Sequence, residues 1–477
     1  MEEGIFFLSK EETKKKLTEG RLNVSVFGLG YVGLPLAVAW CKAGAKVIGV
    51  TKNKEHEELL KKGISPFPED LELKKEYKEC YEAEKIEITS DSSYAAKNSD
   101  LKIIAVPVPY DIATSTINYS ALEDVANNLG KSLKNGDIVD LESSVPPGTT
   151  EKILLKILEE KSKLKLSRNF GLVYSPERIY VGRALKDLRE NYPKIIGSSC
   201  KKSLEIMSVF YEQISKKGVI LLNSFIAAEL EKLFEGVYRD VNIALANELA
   251  NICEKMNISY EEVRKAANSQ PYCHLHQPGI GVGGFCLPNY SNYIIAKAKE
   301  LNLEVPVIEN GRKENEKLPF LMAKNLIMYL RSMLELENIN ILVLGLTFRG
   351  NTSDTRYSPA IDFVNTIVEK VKAVYVYDPF VKRPLENLDK KAKIVENLSE
   401  LKEKAEVLCI ATDHEEFKKL LSSNELIDLL KDPKIIVDFK VVINNETKAK
   451  LEAFGAKVFI RGEPVSFISG LNSNLTK

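Results

Sequence analysis

A cysteine on a glycine-rich turn carries the clearest chemical signal in this sequence, GIGVGGFC at Gly279–Cys286. Glycine permits tight turns and lets a ligand approach the backbone closely, so the thiol is expected to be open to a bound reactant. Far upstream, Gly28, Gly30 and Gly33 form a GxGxxG fingerprint that suggests a hydride acceptor. A nucleophilic thiol together with a nicotinamide predicts oxidation of an alcohol to a carboxylate through a covalent thioester. The alternative for the cysteine alone is a buried, inert thiol.

The GxGxxG fingerprint lies where a dinucleotide-binding turn belongs. It follows a predicted strand at 24–27 and opens a predicted helix at 34–42. Gly28 permits the tight turn, Gly30 admits a pyrophosphate to the backbone, and Gly33 allows close packing of helix and strand. The pyrophosphate is then expected at the positive N-terminus of the helix. The alternative is a simple tight turn between a strand and a helix.

The residues after the second predicted strand, 46–50, bear on the choice of cofactor. An acidic residue is expected there to hold the ribose hydroxyls of NAD, but the sequence has Thr51, Lys52 and Asn53. NAD is the expected cofactor, with NADP as the alternative because a lysine tolerates a 2′-phosphate. It is also open that Thr51 or Asn53 supplies a neutral hydrogen bond and that Lys52 is merely solvated.

The composition excludes several classes of function. The 477 residues hold 67 Lys and Arg against 67 Asp and Glu, and this net charge of zero predicts neither nucleic-acid nor membrane binding. Seven scattered cysteines without a CxxC pair argue against a disulfide framework or a zinc site, so a reducing, cytoplasmic location is expected. No apolar run is long enough to span a membrane. No metal is expected, because His274 and His276 have no acidic or cysteine partner at ligand spacing.

Alternating strands and helices predict an α/β fold with two Rossmann-like doubly wound sheets. The predicted strands are 24–27, 46–50, 101–106, 138–141, 169–174 and 194–197 for the first sheet, and 339–346, 373–377, 407–411 and 435–439 for the second. Between them, 226–256 has helical periodicity without proline and predicts a long bridging helix in a central helical domain, often a dimer surface. The expected domains are an N-terminal helical extension (1–20), a dinucleotide-binding domain (21–200), a central dimerisation domain (201–334) and a second Rossmann-like domain (335–477).

An ordered set of motifs resembles the nucleotide-sugar 6-dehydrogenases, the family that contains the UDP-glucose and UDP-N-acetylmannosamine dehydrogenases. The resemblance runs from about Val24 to Asp438 and includes, besides the cysteine loop, the segments GLGYVGLP (28–35), VPVP (106–109), ESSVPPGTT (142–150), YSPER (174–178), AELEK (228–232), GLTFR (345–349) and DTRYSP (354–359). It implies a homodimer that oxidises the C6 alcohol of a UDP-sugar with NAD and binds UDP in the last domain. The SPER form favours a UDP-N-acetylhexosamine, such as UDP-N-acetylmannosamine.

The resemblance implies catalytic roles for four residues. Cys286 would attack an intermediate aldehyde as a thiolate, and a second hydride transfer would leave a thioester that water hydrolyses. Lys232 would stabilise negative charge on the reacting oxygen, and Glu177 would activate or position water. Ser144 matches a hydroxyl near the nicotinamide and the water. The alternatives are a surface lysine, an ion pair between Glu177 and Arg178, and a serine hydroxyl that caps the following turn.

The resemblance also implies residues that bind the two ligands. The expected cofactor contacts are Gly28, Gly30, Tyr31, Val32, Gly33, Thr51, Pro107, Ser143 and Arg356. The expected contacts to the UDP-sugar are Gly281, Gly283, Gly284, Phe348, Arg349 and Lys440. Phe348 and Arg349 would hold the uridine and phosphates, because a planar guanidinium suits bidentate phosphate contacts. The alternative for Arg349 and Arg356 is a salt bridge with Asp354 or Asp362.

Several positions depart from the pattern of the family. The asparagine expected one helical turn after the lysine is Gly236, and the aspartate expected four residues after the cysteine is Tyr290. Two arginines that would grip the UDP-sugar are replaced by Tyr272 and Lys440. Loss of one positioned polar group typically costs about 10²–10³ in rate. A divergent but active dehydrogenase is the preferred hypothesis, and the alternative is a catalytically impaired paralogue that binds UDP-sugar or dinucleotide as a regulator or partner.

Overall fold

The computed structural model describes residues 4–111, 114–381, 384–401, 404–423 and 425–464. These residues form two compact units. The first consists of the described residues up to Glu235 together with Asn292–Asn302, and the second of Gly236–Ser291 together with the described residues from Leu303 onward. Two helices, Phe225–Met256 and Cys286–Glu300, each contribute residues to both units.

An eight-stranded sheet organises the first unit. Its strands are β1 (Asn23–Phe27), β2 (Lys46–Val50), β3 (Ile86–Thr89), β4 (Leu101–Ile104), β7 (Ile138–Leu141), β8 (Gly171–Tyr174), β9 (Lys194–Gly197) and β10 (Val219–Leu222), while β5 (Tyr110–Asp111) and β6 (Thr116–Ile117) form a separate small hairpin. The order across the sheet is β10-β9-β8-β7-β4-β1-β2-β3, and all neighbours are parallel except β8 and β9. Because β1 lies between β2 and β4, the loops after β1 and β4 open a crevice at the carboxyl edge, where doubly wound folds bind ligands.

Helices and two apolar cores surround this sheet. The helices are α1 (Lys10–Thr18), α2 (Gly33–Ala43), α3 (Lys54–Leu60), α4 (Leu71–Glu82), α5 (Ser92–Lys97), α6 (Ser120–Ser132), α7 (Lys156–Ser162), α8 (Ala184–Lys186) and α9 (Lys201–Glu212). Successive residues of a strand point to opposite faces, and Ile103 and Ile104 accordingly belong to different cores. Both faces of the sheet are therefore buried, as a parallel sheet requires.

A six-stranded parallel sheet organises the second unit. Its strands are β11 (Asn340–Leu344), β12 (Ala373–Tyr377), β13 (Lys393–Ile394), β14 (Ala405–Ile410), β15 (Leu430–Asp438) and β16 (Lys457–Ile460), in the order β13-β12-β11-β14-β15-β16. The helices from here on are α10 (Phe225–Met256), α11 (Tyr260–Ala267), α12 (Cys286–Glu300), α13 (Pro306–Arg331), α14 (Pro359–Ile367), α15 (Glu415–Ser422), α16 (Glu425–Asp428) and α17 (Asn445–Ala453). The turn after β11 lies at the point where the strand order reverses, as the turn after β1 does in the first sheet.

The predicted fold class is confirmed, with two doubly wound sheets and a long central helix. Some predicted strands are longer than the strands of the structure. The strand predicted at 101–106 ends at Ile104, although the N–H of Ala105 still donates to the carbonyl oxygen of Phe27 at 2.8 Å. The strand predicted at 339–346 spans only Asn340–Leu344. The domain limits from the sequence stay predictions, although the first sheet continues to Leu222, beyond the expected limit at residue 200.

Some strands were not predicted because their residues are only partly buried. In β3 the buried Ile86 and Ile88 alternate with the exposed Glu87, which breaks the apolar run. In β10 at the edge of the sheet, Ile220 and Leu221 are both exposed, so the segment lacks the pattern of a core strand. Among the described residues, no helix has both the length and the hydropathy needed to cross a membrane.

Candidate active site

The turn after β1 brings strand and helix too close together for any side chain at Gly33. A Cβ there would lie 1.7 Å from the carbonyl oxygen of Gly28, whose own N–H donates to the carbonyl oxygen of Val50 at 2.9 Å. Gly30 differs, because a Cβ at that position would meet no atom within 4 Å. The turn therefore needs Gly33 for its own packing, and it leaves the backbone of Gly30 open to a ligand.

The start of α2 fits the pyrophosphate that the fingerprint predicts. Val32 occupies the N-cap, and its side chain cannot accept the N–H groups of the first turn. The N–H of Leu34 donates to the carbonyl oxygen of Gly30 at 3.1 Å and Pro35 has no N–H, so an anion would be attracted here by the positive end of the helix dipole. The neighbouring Tyr31 packs its ring against Phe67, with 4.3 Å between ring centroids, which fixes the outer side of the turn. The residues present thus suit a dinucleotide.

The lysine after β2 already has an acidic partner. Lys52 forms an ion pair with Asp124. Thr51 is buried at the end of the strand, and the side chain of Asn53 accepts the backbone N–H of His56 at the start of α3. A carboxylate therefore lies beside Lys52.

Sheet order brings the other predicted cofactor residues to the same edge. The strands β7, β4 and β1 are neighbours, so the loops that follow them leave the sheet side by side. Pro107 is exposed in the loop after β4. Ser143 and Ser144 follow β7, and Ser143 donates its N–H and its hydroxyl to the carbonyl oxygen of Ile104 at 3.2 and 3.3 Å. Three distant segments of the sequence therefore supply one crevice.

A buried lysine holds Glu177 in place. The ammonium of Lys194 donates to both carboxylate oxygens of Glu142, at 2.9 and 2.7 Å, and also to Oε1 of Glu177. All three side chains are at most 8% exposed. Lys194 is the first residue of β9, and Glu142 follows β7, so the lysine connects the ends of separate strands. Glu177 is thus fixed by an ion pair in the interior of the first unit.

This network holds more acid than base. The hydroxyl of Tyr211 lies 2.6 Å from Asp140 Oδ2 and 2.5 Å from Glu142 Oε1, and its single proton can be donated to only one of them. Burial raises the pKa of Asp140 to about 7. Burial, with two carboxylates nearby, also raises the pKa of Glu142 well above its usual range, against the attraction of Lys194. At least one carboxyl of the network therefore keeps a proton near neutral pH.

Helix α10 is fixed in the first unit through Glu229. Its buried carboxylate accepts the N–H of Gly148 and both the N–H and the hydroxyl of Thr150, the last two at 2.8 and 2.7 Å. Gly148 and Thr150 belong to the turn that follows Ser144. Lys232 lies half-buried three residues further along the helix. The predicted lysine and the predicted hydroxyl thus lie on segments that are tied together.

The proposed ion pair of Glu177 with Arg178 does not form, since the partner of Glu177 is Lys194. Arg178 instead turns to α10, where its Nη1 lies 3.1 Å from Glu235 Oε1 and 3.7 Å from Glu231 Oε1. Adjacent residues of the SPER segment therefore face different partners.

In the second unit Cys286 is the first residue of α12, and its side chain is exposed. The first residue of a helix lies at the positive end of the helix dipole. Arg356 packs beside this position, with its guanidinium carbon 4.9 Å from the ring centre of Phe285. The same guanidinium pairs with Asp354 through two contacts of 2.9 and 2.6 Å, which is the salt bridge considered as its alternative.

The glycines before the cysteine let the loop pack closely on the segment after β11. A Cβ at Gly283 would lie 2.7 Å from Pro359 Cδ, and one at Gly284 would lie 2.7 Å from the ring of Phe348. A Cβ at Gly281 would lie 3.0 Å from the Cβ of Pro359. These glycines, predicted to bind the UDP-sugar, thus allow Phe348 to reach the cysteine loop.

A buried carboxylate joins the three helices around that loop. Asp240 on α10 accepts hydrogen bonds from Arg312 at 2.9 Å and Asn315 at 2.8 Å, both on α13, and from Ser291 on α12 at 2.7 Å. Arg312 also donates to the carbonyl oxygen of Val282 in the glycine loop at 3.4 Å. Removing any one partner would leave a buried polar group unpaired, so these contacts fix the base of the loop.

A second buried carboxylate shapes the turn after β11. Asp378 Oδ2 accepts hydrogen bonds from the N–H of Leu346 at 2.7 Å and the N–H of Thr347 at 3.2 Å. It also forms a hydrogen bond with Nε2 of His414 at 3.2 Å. Nδ1 of His414 accepts the N–H of Asn351 at 2.9 Å, so Nε2 carries the ring proton. This arrangement holds in place the turn that bears the residues expected to bind uridine and phosphate.

The predicted phosphate-binding cations lie at the carboxyl edge of the second sheet. Arg349 follows β11, with its guanidinium carbon 5.9 Å from the ring centre of Phe348. Lys440 follows β15, where its N–H donates to Asp438 at 2.8 Å and its ammonium lies 3.8 Å from Asp413. The strands β11, β14 and β15 are neighbours and run parallel, so the loops that follow β11 and β15 leave the sheet at the same edge.

The sequence alone indicates no role for Lys194, Glu142 or Asp240. The sequence does contain one indication of Lys194, because it is the charged first residue of the otherwise apolar strand KIIG. Such a residue must find a partner when it is buried. Among the described residues, no group of three His, Cys, Asp or Glu side chains could hold a metal ion.

The two fingerprint glycines predict opposite phenotypes. Gly33→Ala places a methyl group against a backbone oxygen, and we expect the free energy of unfolding to fall by about 3 kcal/mol or more. Gly30→Ala meets no atom of the protein, and we expect unfolding to change by less than about 1 kcal/mol while NADH affinity falls at least tenfold, because the methyl group blocks the pyrophosphate. Urea unfolding and NADH fluorescence titration check both; equal NADH affinity in Gly30→Ala and the parent would refute the assignment.

The raised pKa of Asp140 predicts a pH-dependent stability. Its ordinary pKa lies near 4, so between about pH 4 and pH 7 the folded state retains a proton that the unfolded state has lost. Stability contributed by that proton is present at low pH and is lost as the pH rises through about 7, by at most about 1.4 kcal/mol per pH unit. In Asp140→Asn the free energy of unfolding should fall less steeply over this range. The exposed Asp124→Asn serves as control, and an unchanged slope in Asp140→Asn would contradict the network.

Three family models match consecutive parts of the chain. They are those for the NAD binding domain, the central domain and the UDP binding domain of the UDP-glucose/GDP-mannose dehydrogenase family, at residues 22–215, 226–317 and 342–445. The UDP-N-acetyl-D-mannosamine dehydrogenase of Pyrococcus horikoshii is 35% identical over 427 residues, which cover 88% of this chain and 96% of that protein. The UDP-N-acetyl-D-glucosamine 6-dehydrogenase of Salmonella typhi is 32% identical over 427 residues, which cover 89% and 97%.

A solved structure gives the same assignment. The chain is similar to the UDP-D-ManNAc dehydrogenase structure from Pyrococcus horikoshii, with a TM-score of 0.82 and 33% identity over 92% of this chain and 99% of that one. The comparisons give no support to the doubt about activity that Gly236 and Tyr290 raised. The chain belongs to the UDP-glucose/GDP-mannose dehydrogenase family and is an oxidoreductase with an NAD-binding domain.

Proposed function

We propose that this protein oxidises the C6 alcohol of a UDP-N-acetylhexosamine, such as UDP-N-acetylmannosamine, to the uronate. The observation that carries the proposal is Cys286, an exposed thiol at the start of α12 in a chain whose first unit has a dinucleotide turn. A chain that has both a nucleophilic thiol and a dinucleotide turn can carry out a second oxidation that a simple alcohol dehydrogenase cannot perform.

The proposed reaction removes four electrons in two steps. A bound NAD would supply the hydride acceptor for each oxidation, and the alcohol would lose a hydride and a proton to become an aldehyde. The thiol of Cys286 would give up its proton to solvent and add as a thiolate to the aldehyde carbon, and the thiohemiacetal anion would lose a second hydride to leave a thioester. Water then cleaves the carbon–sulfur bond, which releases the carboxylate and returns the thiol. One sugar therefore yields two NADH.

Lys232, Glu177 and Ser144 would act on the oxygen atoms of these steps. The ammonium of Lys232 would stabilise the negative charge that develops on the reacting oxygen. Glu177, held by Lys194, would position the hydrolytic water and accept its proton. Ser144, on the turn tied to α10 through Glu229, would hydrogen-bond the same water or the nicotinamide.

The choice of sugar rests on the relatives and on the second unit. Two relatives, 35% and 32% identical to this chain, are named for UDP-N-acetyl-D-mannosamine and UDP-N-acetyl-D-glucosamine. Phe348 and Arg349, on the turn fixed by Asp378, would take the uridine and the phosphates, and Lys440 would add a second cation. For the cofactor we propose NAD, because Lys52 is engaged by Asp124.

We further propose a homodimer formed through α10. Four large apolar side chains, Tyr238, Leu245, Ile252 and Met256, recur along one side of this helix and are 42 to 64% exposed. Their spacing of seven, seven and four residues keeps them on one stripe, which suits the same stripe of a second copy. The seven cysteines are all free thiols, which supports a reducing compartment such as the cytoplasm.

The stoichiometry of cofactor reduction tests the function. With UDP-N-acetylmannosamine we expect two NADH per sugar and free uronate, measured by absorbance and by mass spectrometry. UDP-N-acetylglucosamine and UDP-glucose should be poorer substrates, and NADP a poorer acceptor than NAD. In Cys286→Ser uronate formation should fall at least 10³-fold, because the hydroxyl is a far weaker nucleophile than a thiolate.

The outcomes separate the alternatives. One NADH per sugar with free aldehyde would contradict the thioester step. Binding of UDP-sugar and NADH without turnover of any of the three sugars would favour the impaired paralogue. Cys409→Ser, which alters a buried thiol outside the cysteine loop, is the matched control and should leave uronate formation within threefold.

The apolar stripe predicts the oligomeric state. Leu245→Lys with Ile252→Lys should convert a dimer into a monomer, because two charges per chain would be buried in an apolar interface. Sedimentation equilibrium measures the mass. Phe454→Lys, at another exposed apolar position, should remain dimeric. A parent chain that is monomeric at micromolar concentration would contradict the proposal.

A further inference from the structure

The replacements on α10 and α12, Gly236 and Tyr290, touch each other. A Cβ built on Gly236 of α10 would lie 2.2 Å from Cδ2 of Tyr290 and 3.2 Å from its Cε2 and Cγ atoms. Carbon atoms without a bond between them do not approach to 2.2 Å, so no side chain fits at residue 236 while the tyrosine ring is in place. The glycine and the tyrosine are therefore two sides of one contact.

The ring cannot easily move away from this contact. Tyr290 is 4% exposed, and the next residue, Ser291, donates its hydroxyl to the buried Asp240 at 2.7 Å. Asp240 lies one helical turn beyond Gly236 and is held in turn by Arg312 at 2.9 Å. The helices α10 and α12 are thus fixed by a buried hydrogen bond next to the ring.

The contact lies one helical turn from the nucleophile. Tyr290 follows Cys286 by four residues on α12, so the two residues lie on one side of the first turn. The side chain of Asn289 donates to the carbonyl oxygen of Phe285 at 2.6 Å, which closes the turn that carries the cysteine. Any shift of the tyrosine along α10 therefore moves the start of α12.

We propose that Gly236 and Tyr290 are a matched pair in which the ring, seated on the bare backbone of α10, positions Cys286. Tyr290 is a positioning residue that acts through the helix, and packing at this contact takes the place of the polar side chains expected there. The catalytic consequence rests on the proposed function, whereas the steric pairing and the setting of the thiol do not.

The pairing predicts that Gly236→Ala changes the midpoint of thermal unfolding in opposite directions with and without the Tyr290 ring. Alanine is a better helix former than glycine, so Gly→Ala inside a helix normally raises stability. In the parent, Gly236→Ala should instead lower the midpoint of thermal unfolding by at least about 4 °C, because the methyl group collides with the ring. In a Tyr290→Ala background the same change should raise the midpoint, since the ring atoms are gone. Tyr290→Val provides a second background if the alanine variant folds poorly.

The thiol provides a readout that does not depend on turnover. We expect the rate of Cys286 alkylation by iodoacetamide, followed against pH and assigned by peptide mapping, to change at least threefold in Gly236→Ala and to return toward the parent value in Gly236→Ala/Tyr290→Ala. With an active sugar, kcat should fall about 10²-fold in Gly236→Ala, with KM within threefold, and should recover at least tenfold in the double variant. If the parent oxidises no sugar, the unfolding and alkylation measurements still decide the pairing.

A control glycine of the same unit separates the pairing from a general effect. A Cβ at Gly279 would lie 3.7 Å from the nearest atom, the carbonyl oxygen of Phe439, and Gly279→Ala should show no difference between the parent and Tyr290→Ala backgrounds. The pairing would be overturned if Gly236→Ala raised the unfolding midpoint of the parent. It would also be overturned if the change in midpoint of Gly236→Ala/Tyr290→Ala equalled the sum of the changes in the two single variants. Unchanged alkylation of Cys286 in Gly236→Ala would overturn the positioning role.

Discussion

The seating of the Tyr290 ring on the backbone of Gly236 is the contact on which the placement of the nucleophile depends. The helix of Cys286 has no freedom to slide past α10, because the ring fills the only space that a side chain at residue 236 could use. Asp240 adds a buried hydrogen bond one turn further on. Packing and hydrogen bonding therefore set the same position, and a thiol at a helix start gains a fixed direction of approach.

In the first unit the corresponding constraint is electrostatic. Burying a lysine is unfavourable unless carboxylates surround it, and Lys194 has Glu142 and Glu177 as direct partners. Burial raises the pKa of Asp140 and of Glu142, and the contact with Lys194 holds Glu177 in place without exposing it. A general base that is held in this way suits the hydrolytic step of the proposed mechanism.

The sequence was sufficient for the parts of the site that depend on local chain geometry. The turn at Gly28–Gly33 and the cysteine loop were predicted because glycine spacing and neighbouring strands act over a few residues. The partners of Lys194 and Asp240 were not predicted, because they lie 17 to 75 residues away in the chain and meet only in the fold. In the sequence, Gly236 and Tyr290 are two separate departures from the family pattern, since a steric match between two helices leaves no periodic signal in one sequence.

The most direct test of the proposed covalent mechanism is the intact mass of the protein quenched with acid during steady turnover of UDP-N-acetylmannosamine. The account predicts an acyl adduct of one UDP-sugar per chain, located on the Cys286 peptide, that disappears at least as fast as the turnover rate once substrate is exhausted. Oxidation of the sugar with no adduct at Cys286 at any quench time would contradict the account, and so would an adduct that persists after turnover has ended.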